Sequence, residues 1–172
     1  MHQALQALLL LILGGGAMTA LASVAVYWFE PARRVERRLR KVLGGPPDAI
    51  VVGPATGQGV ALRVDEGRIA VMRGLYDAGL AFELHELIGA ELIFDGQVAA
   101  RAFRGEQRRP LDRIDPEVGR VTLRLVFDDV RDPDFEMEVW SLGHIPRPGW
   151  DGPTAVQSAR KFFARAEALV RR

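Results

Sequence analysis

Two adjacent residues, His85 and Glu86, have the side-chain types that a catalytic zinc site uses. In a zinc-protease helix a second histidine follows the glutamate by three positions, so that both imidazoles share one face and bind the metal. That position is Gly89 in this sequence. The sequence therefore does not predict a zinc protease, and His85 is interpreted as a surface or hydrogen-bonded side chain.

Ser141 and His144 place a hydroxyl and an imidazole close together in the sequence. Ser141 does not lie in the G-x-S-x-G motif that exposes a nucleophile, and nothing marks a third group that would orient His144. The glycine-rich segment 53–59 lacks the Lys-Ser/Thr pair with which a phosphate loop holds phosphate and magnesium. Neither segment predicts catalysis or nucleotide binding.

An acidic cluster lies between residues 128 and 138, and oxygen ligands of this kind suit calcium. Its spacing is not that of an EF-hand, and the segment is interpreted as a solvated turn followed by the outer face of a strand. The cluster consists of Asp128, Asp129, Asp132, Asp134, Glu136 and Glu138. We expect no catalytic residue, no cofactor and no metal site, and hence no enzyme activity.

The composition excludes further kinds of chemistry. The 172 residues contain no cysteine, which excludes disulfides, thiolate catalysis and cysteine-bound metal clusters. The net charge of +1 does not favour a nucleic-acid partner. Lys41 and Lys161 are the only lysines beside many arginines, a bias that is typical of a GC-rich bacterial genome.

Residues 4–29 contain no charged side chain and predict a transmembrane helix. The most apolar part, from residue 5 to residue 26, is about 33 Å long as a helix, enough to cross the hydrocarbon core. Tyr27 and Trp28 follow it as residues of the membrane interface. Gly16 and Ala20 form a small-xxx-small pair through which two such helices could associate as a homo-oligomer, although glycine is common in membrane helices generally.

The charges that flank this span predict its orientation. No lysine or arginine precedes it, and a short segment with six of them follows it. The positive-inside rule therefore places the N-terminus outside and the C-terminal side in the cytoplasm of a bacterial inner membrane. The same side chains could contact anionic lipid heads. They are Arg33, Arg34, Arg37, Arg38, Arg40 and Lys41.

The alternative for this segment is a cleaved signal peptide, because Ala20-Leu21-Ala22 resembles a cleavage site. Cleavage at Ala22 would release a periplasmic domain. No positive charge precedes the apolar run, and the run continues seven residues beyond Ala22. Both features favour a signal anchor that stays in the membrane.

The chain beyond the span divides into three predicted parts. Apolar residues at i, i+4, i+7 and i+8 from Val35 form one face of a basic juxtamembrane helix over residues 30–43. Residues 44–59 are rich in Gly and Pro and predict a linker, in which residues 49–52 could form a short strand. Residues 60–172 predict one folded domain.

This domain is predicted to contain seven antiparallel strands in hairpin order and a C-terminal amphipathic helix. The strands are predicted at residues 60–64, 68–73, 80–84, 90–94, 97–103, 121–127 and 135–140. The helix carries one apolar stripe that is expected to pack against the sheets. The stripe consists of Val156, Ala159, Phe163, Ala166 and Val170.

The order of these elements resembles the pleckstrin-homology-like (PH-like) fold, in particular bacterial PH-like domains. The resemblance lies in residues 67–71 (GRIAV), 82–92 (FELHELIGAEL) and 132–139 (DPDFEMEV). It implies a seven-stranded antiparallel barrel or sandwich whose open end is capped by the C-terminal helix.

Lipid-binding PH-like domains hold inositol phosphates with basic residues around the first hairpin. Here Arg63 and Arg68 are accompanied by Asp65 and Glu66, which departs from that pattern. Residues 44–172 carry 17 basic and 20 acidic side chains, a net charge of −3. A domain with this balance is not attracted as a whole to an anionic membrane, which favours a protein partner, for example a peptide strand added to a sheet edge.

The sequence thus predicts a membrane-anchored, non-catalytic interaction or scaffold protein that presents a cytoplasmic PH-like domain to a protein partner. The alternative is a ligand-binding or enzymatic domain with a site in the cleft between sheet and helix. Its functional groups would be His85, Glu86 and the acidic cluster.

Overall fold

A computed structural model describes residues 16, 18–19, 30–107, 118–143 and 150–171. Gly16, Met18 and Thr19 are helical, and the rest of the predicted span 4–29 lies outside the described residues. The later described residues form α1 (Pro31–Leu43), β1 (Ala49–Gly53), β2 (Gln58–Arg63), β3 (Arg68–Met72), β4 (Leu80–Glu83), a 3-10 turn (Leu84–Glu86), β5 (Leu87–Phe94), β6 (Gln97–Phe103), β7 (Arg120–Phe127), β8 (Asp134–Ser141) and α2 (Gly152–Val170).

The described strands form two antiparallel sheets of four strands each. Sheet A has the order β1-β2-β3-β4, and sheet B has the order β6-β5-β7-β8. The mainly-β prediction with a C-terminal helix is confirmed, but two details are corrected. There are eight strands and not seven among the described residues, because β1 forms within the predicted linker 44–59. The strands are not in simple hairpin order, because β7 pairs with β5 and not with β6.

The main core lies between the inner faces of the two sheets and the apolar face of α2. Strand β7 shows how the sequence determines it: Val121, Leu123, Leu125 and Phe127 alternate inward and are at most 2% exposed. Of the predicted stripe on α2, four residues are buried and Val156 is half-buried, whereas Phe162 joins the core beside Phe163. The side chain of Asp151 accepts a hydrogen bond from the Thr154 amide at 2.9 Å and so caps this helix. Hydrogen bonds from the Thr154 side chain first, and from its amide second, lower the pKa of Asp151.

A second, smaller core lies on the opposite face of sheet A, where α1 packs. Ala32, Val35, Leu39 and Leu43 are at most 2% exposed against the sheet. Gly59 makes this approach possible, because a methyl group there would lie 2.7 Å from Val35 Cγ1. The basic helix is therefore an integral layer of the domain and not a separate segment joined to it by a linker.

The two sheets are also joined at the side where β1 and β2 meet β8. The side-chain amide of Gln58 donates to the Glu136 carbonyl at 3.3 Å and accepts from the Glu138 amide at 3.3 Å. Strand β8 is at the edge of sheet B, so its outer backbone groups have no neighbouring strand in that sheet. The Gln58 side chain forms hydrogen bonds with two of these groups, as an adjacent strand would.

None of the helices in the described ranges is long and apolar enough to span a membrane.

Replacing Leu39 by Ala tests the contribution of α1. We expect Leu39→Ala to lower the free energy of unfolding of the full-length chain by about 2–5 kcal/mol, because a fully buried side chain leaves a cavity. Arg40→Ala, an exposed neighbour on the same helix, should change it by less than about 0.5 kcal/mol. Chemical denaturation in detergent, followed by circular dichroism, measures both variants. Equal effects would show that α1 does not stabilise the sandwich.

Candidate functional site

The predicted interface residues of α1 lie on the surface that the helix turns away from sheet A. Arg37, Arg38, Arg40 and Lys41 are exposed, and Arg33 and Arg34 are half-buried. Because the apolar residues of the same helix are fixed on the sheet, the basic side chains point outward together. The helix ends at Gly44, whose backbone φ of 73° favours glycine. The other two predicted interface residues, Tyr27 and Trp28, lie outside the described residues.

Arg38 differs from its neighbours because it reaches a distant loop. Its guanidinium donates hydrogen bonds to the carbonyl of Leu75, and to that of Asp77 at 3.4 Å. Arg33, by contrast, pairs with Glu30 at 3.2 Å, within the first turn of α1. Arg38 thus fixes the loop between β3 and β4 against the basic helix.

His85 and Glu86 lie in a short turn that their own groups help to hold. Both belong to the 3-10 turn, where the Glu86 carboxylate accepts a hydrogen bond from the Glu83 amide at 2.6 Å. The Arg104 guanidinium donates to the backbone carbonyl of His85 at 2.5 Å, and the imidazole itself is exposed. Glu86 therefore acts as a cap for the turn, a role that accounts for its position without catalysis.

The acidic cluster does not converge on a common point either. Asp132 pairs with Arg73 at 2.9 Å, Asp134 with Arg124 at 3.0 Å, and Glu138 with Arg120 at 3.2 Å. The Asp129 carboxylate accepts hydrogen bonds from the amides of Asp132 and Arg131, which lower its pKa. These four carboxylates of the cluster thus stabilise their own turns or strand pairs. Within the described ranges, no three His, Asp or Glu side chains are grouped so that they could hold a metal ion.

Ser141 and the glycine-rich segment 53–59, two further sequence candidates, also have structural roles. The hydroxyl of Ser141 donates to the Glu138 carboxylate at 2.6 Å, and His144 lies outside the described residues. The glycine-rich segment 53–59 forms the tight turn between β1 and β2, in which the Gly57 amide donates to the Gly53 carbonyl at 3.0 Å.

A feature that the sequence analysis missed is a row of alternating charge across the outer face of sheet B. Strand register places Arg101 beside Glu91, Glu91 beside Arg124, and Arg124 beside Glu136. Arg124 contacts the Glu91 carboxylate at 3.4 Å, and its hydrogen bond to Asp134 is the main reason that the pKa of Arg124 is raised. The row is visible only once the strands are paired, because its members come from four strands.

A groove of about 510 Å³ separates the start of β1 from α2. The backbone carbonyl of Asp48 accepts a hydrogen bond from Arg165, and its carboxylate accepts one from the Val64 amide at 2.6 Å. Two cations, Lys161 and Arg165, and one carboxylate, Asp48, line the groove. His85, Glu86 and the acidic cluster do not line it. The lining residues are Pro47, Asp48, Ala49, Ile50, Ser158, Lys161, Phe162, Ala164 and Arg165.

No protein-family model matches this chain, and neither the curated proteins nor the solved structures contain a match.

The charge row makes a prediction for Arg124. We expect Arg124→Met to lower the free energy of unfolding by about 1–3 kcal/mol, because Glu91, only 9% exposed, would lose its ion pair with Arg124 at 3.4 Å. The matched control is Arg68→Met, which removes a half-exposed pair with Glu83 at 4.0 Å and should cost less than about 1 kcal/mol. Denaturation of both variants in parallel measures the difference. A smaller effect for Arg124 than for Arg68 would contradict a structural role for the row.

Proposed function

We propose that this chain is a single-pass protein of a bacterial inner membrane whose PH-like domain is a non-catalytic interaction module on the cytoplasmic side. The charge-free residues 4–29 supply the anchor, and the basic residues after them supply the orientation. The proposal places the N-terminus outside. It includes contacts between the outward arginines of α1 and anionic lipid heads.

The observation that carries the proposal is the packing of α1 on sheet A. A single residue, Glu30, separates the apolar run from Pro31, the first residue of α1. The buried stripe of α1 then continues directly into the domain. An anchor joined in this way holds the sandwich at the membrane surface in one orientation, which suits a module that presents a surface to a partner.

A PH-like plan is supported by two antiparallel sheets packed face to face, with the C-terminal helix on their shared core. The chain departs from the predicted plan by one additional strand and by the pairing of β7 with β5. A non-catalytic role is supported by several candidate side chains that are used in turns, caps and ion pairs, namely Glu86, Asp129, Asp132, Asp134, Glu138 and Ser141. The groove beside α2, between the start of β1 and the helix, is where the alternative, a ligand-binding or enzymatic role, would place its site.

Protease accessibility tests the anchor and its orientation. With the full-length chain in bacterial membranes, we expect the protein to resist alkaline extraction. The domain should be cleaved by added protease in inside-out vesicles and protected in right-side-out vesicles. The reverse pattern, or a mature N-terminus at Ser23, would establish a periplasmic domain instead.

Affinity capture tests the interaction role. The control should replace residues 30–172 by an unrelated soluble domain, since α1 without sheet A would expose its apolar stripe and capture proteins non-specifically. We expect a small set of proteins that is recovered only with the native domain, identified by mass spectrometry. If no protein depends on the domain, the scaffold role is contradicted and the groove beside α2 becomes the site to study.

A further inference from the structure

Neither α1 nor α2 covers the outer face of sheet B. Helix α1 packs on the outer face of sheet A, and α2 packs on the core between the sheets. The uncovered face is not purely polar, because Val98 is 47% exposed and Ile93, Phe103 and Val126 are half-buried on it. It is therefore an extended surface of mixed character that the described part of the chain leaves open.

The charge row crosses the middle of this face with alternating sign. Its members are Arg101 on β6, Glu91 on β5, Arg124 on β7 and Glu136 on β8. The two inner members are matched within the chain, because Arg124 contacts the Glu91 carboxylate at 3.4 Å. The two outer members lie on the edge strands of the sheet, at opposite ends of the row.

The two ends of the row are less well satisfied than its centre. Glu136 is exposed, and its carboxylate makes no hydrogen bond or ion pair within the described ranges, since Arg124 binds Asp134 instead. At the other end Arg101 pairs with the half-exposed Glu106 at 2.8 Å, and its Nε atom has no hydrogen-bond partner. The row thus presents a cation at one edge of the face and an unmatched carboxylate at the other.

A row of four alternating charges is complementary to a second copy of itself in one arrangement. Two copies of sheet B can face each other about a two-fold axis that runs parallel to the strands, between β5 and β7. Strand β6 of one copy then lies opposite β8 of the other, so that Arg101 faces Glu136 and Glu91 faces Arg124. A two-fold axis across the strands would instead bring each charge against its own kind. The charge pattern therefore fits a second copy in a defined orientation.

The size of the face sets the strength of such a contact. Four strands of seven or eight residues, about 4.8 Å apart and with about 3.3 Å per residue, give a face of roughly 500 Å². Two copies would bury roughly 1,000 Å² in total, which is at the low end for a specific interface. The contact should therefore be weak and depend on concentration.

We infer that the outer face of sheet B is a contact between two copies of this chain, with Arg101 of each copy paired with Glu136 of the other at its two edges. The inference goes beyond the proposed membrane anchor and does not require it, because all the residues involved lie in the folded domain. It leaves the cations of α1 and the groove beside α2 available for other contacts.

Charge reversal in the full-length chain, purified in detergent, tests this contact. Sedimentation equilibrium in density-matched detergent measures the dissociation constant, and circular dichroism establishes that each variant is folded. We expect Arg101→Glu and Glu136→Arg each to weaken self-association roughly tenfold or more, because both edge pairs become like-charged. Arg68→Glu, an exposed position on sheet A, is the matched control and should leave the constant unchanged.

An equimolar mixture of the two variants should recover the native affinity. In the mixed dimer the two reversed charges face each other at one edge, and two native charges face each other at the other edge. A mixture that does not recover would overturn the inference, as would a native chain that stays monomeric. Association that is unchanged in both variants would belong to the anchor helix or to another surface, and would overturn it too.

Cross-linking tests the orientation without reversed charges. The chain has no cysteine, and positions 101 and 136 are three strand spacings apart in one copy, about 14 Å. Chains with Arg101→Cys and chains with Glu136→Cys carry different tags, are mixed and are treated with a short bismaleimide, which suits facing sheets about 10 Å apart. We expect several-fold more product between the two variants than within either one alone. Equal yields of all three products would overturn the proposed orientation.

Discussion

The packing of α1 on the outer face of sheet A is the interaction on which the other features of the domain depend. A sheet with one face on a core normally presents its other face to water. Here that face is small and apolar, with Ala61, Ala70 and Gly59 beneath the helix. Small residues let the helix approach closely and exclude water from both surfaces. The result is a three-layer arrangement in which α1 packs on sheet A and sheet A packs on sheet B. Helix α1, the first element of the domain, is thereby held on the central layer.

The outer faces of the two sheets carry charge in different ways. Fixing the apolar stripe of α1 inward directs its cations outward, and one of them, Arg38, organises the loop beneath it. On sheet B the opposite happens: Glu91 and Arg124 are matched across strands, so that the face is polar but has few unmatched charges. The two sides of the domain therefore offer different surfaces. One is a cationic helix with an exposed aromatic loop, and the other is a nearly neutral, ion-paired sheet.

Two of the described residues with catalytic potential have structural roles in this arrangement. Glu86 stabilises the turn that carries the chain from sheet A to sheet B, and the Ser141 hydroxyl binds Glu138 at the end of β8. Asp132, Asp134 and Glu138 pair with arginines, and Asp129 accepts amides of its own turn.

Local patterns in the amino-acid sequence were enough to identify which segments are strands or helices and which of their faces are buried, because alternation and helical stripes are local properties. Seven of the eight described strands and the stripe of α2 follow from such patterns. What those faces pack against became known from the folded chain alone. The apolar stripe from Val35 predicts a helix, but it does not predict that the helix packs over Gly59. Residues 49–53 form a full strand because they pair with β2. The partner of β7, the charge row through Glu91 and the reach of Arg38 depend on contacts between residues far apart in the chain, whose energies no local pattern records.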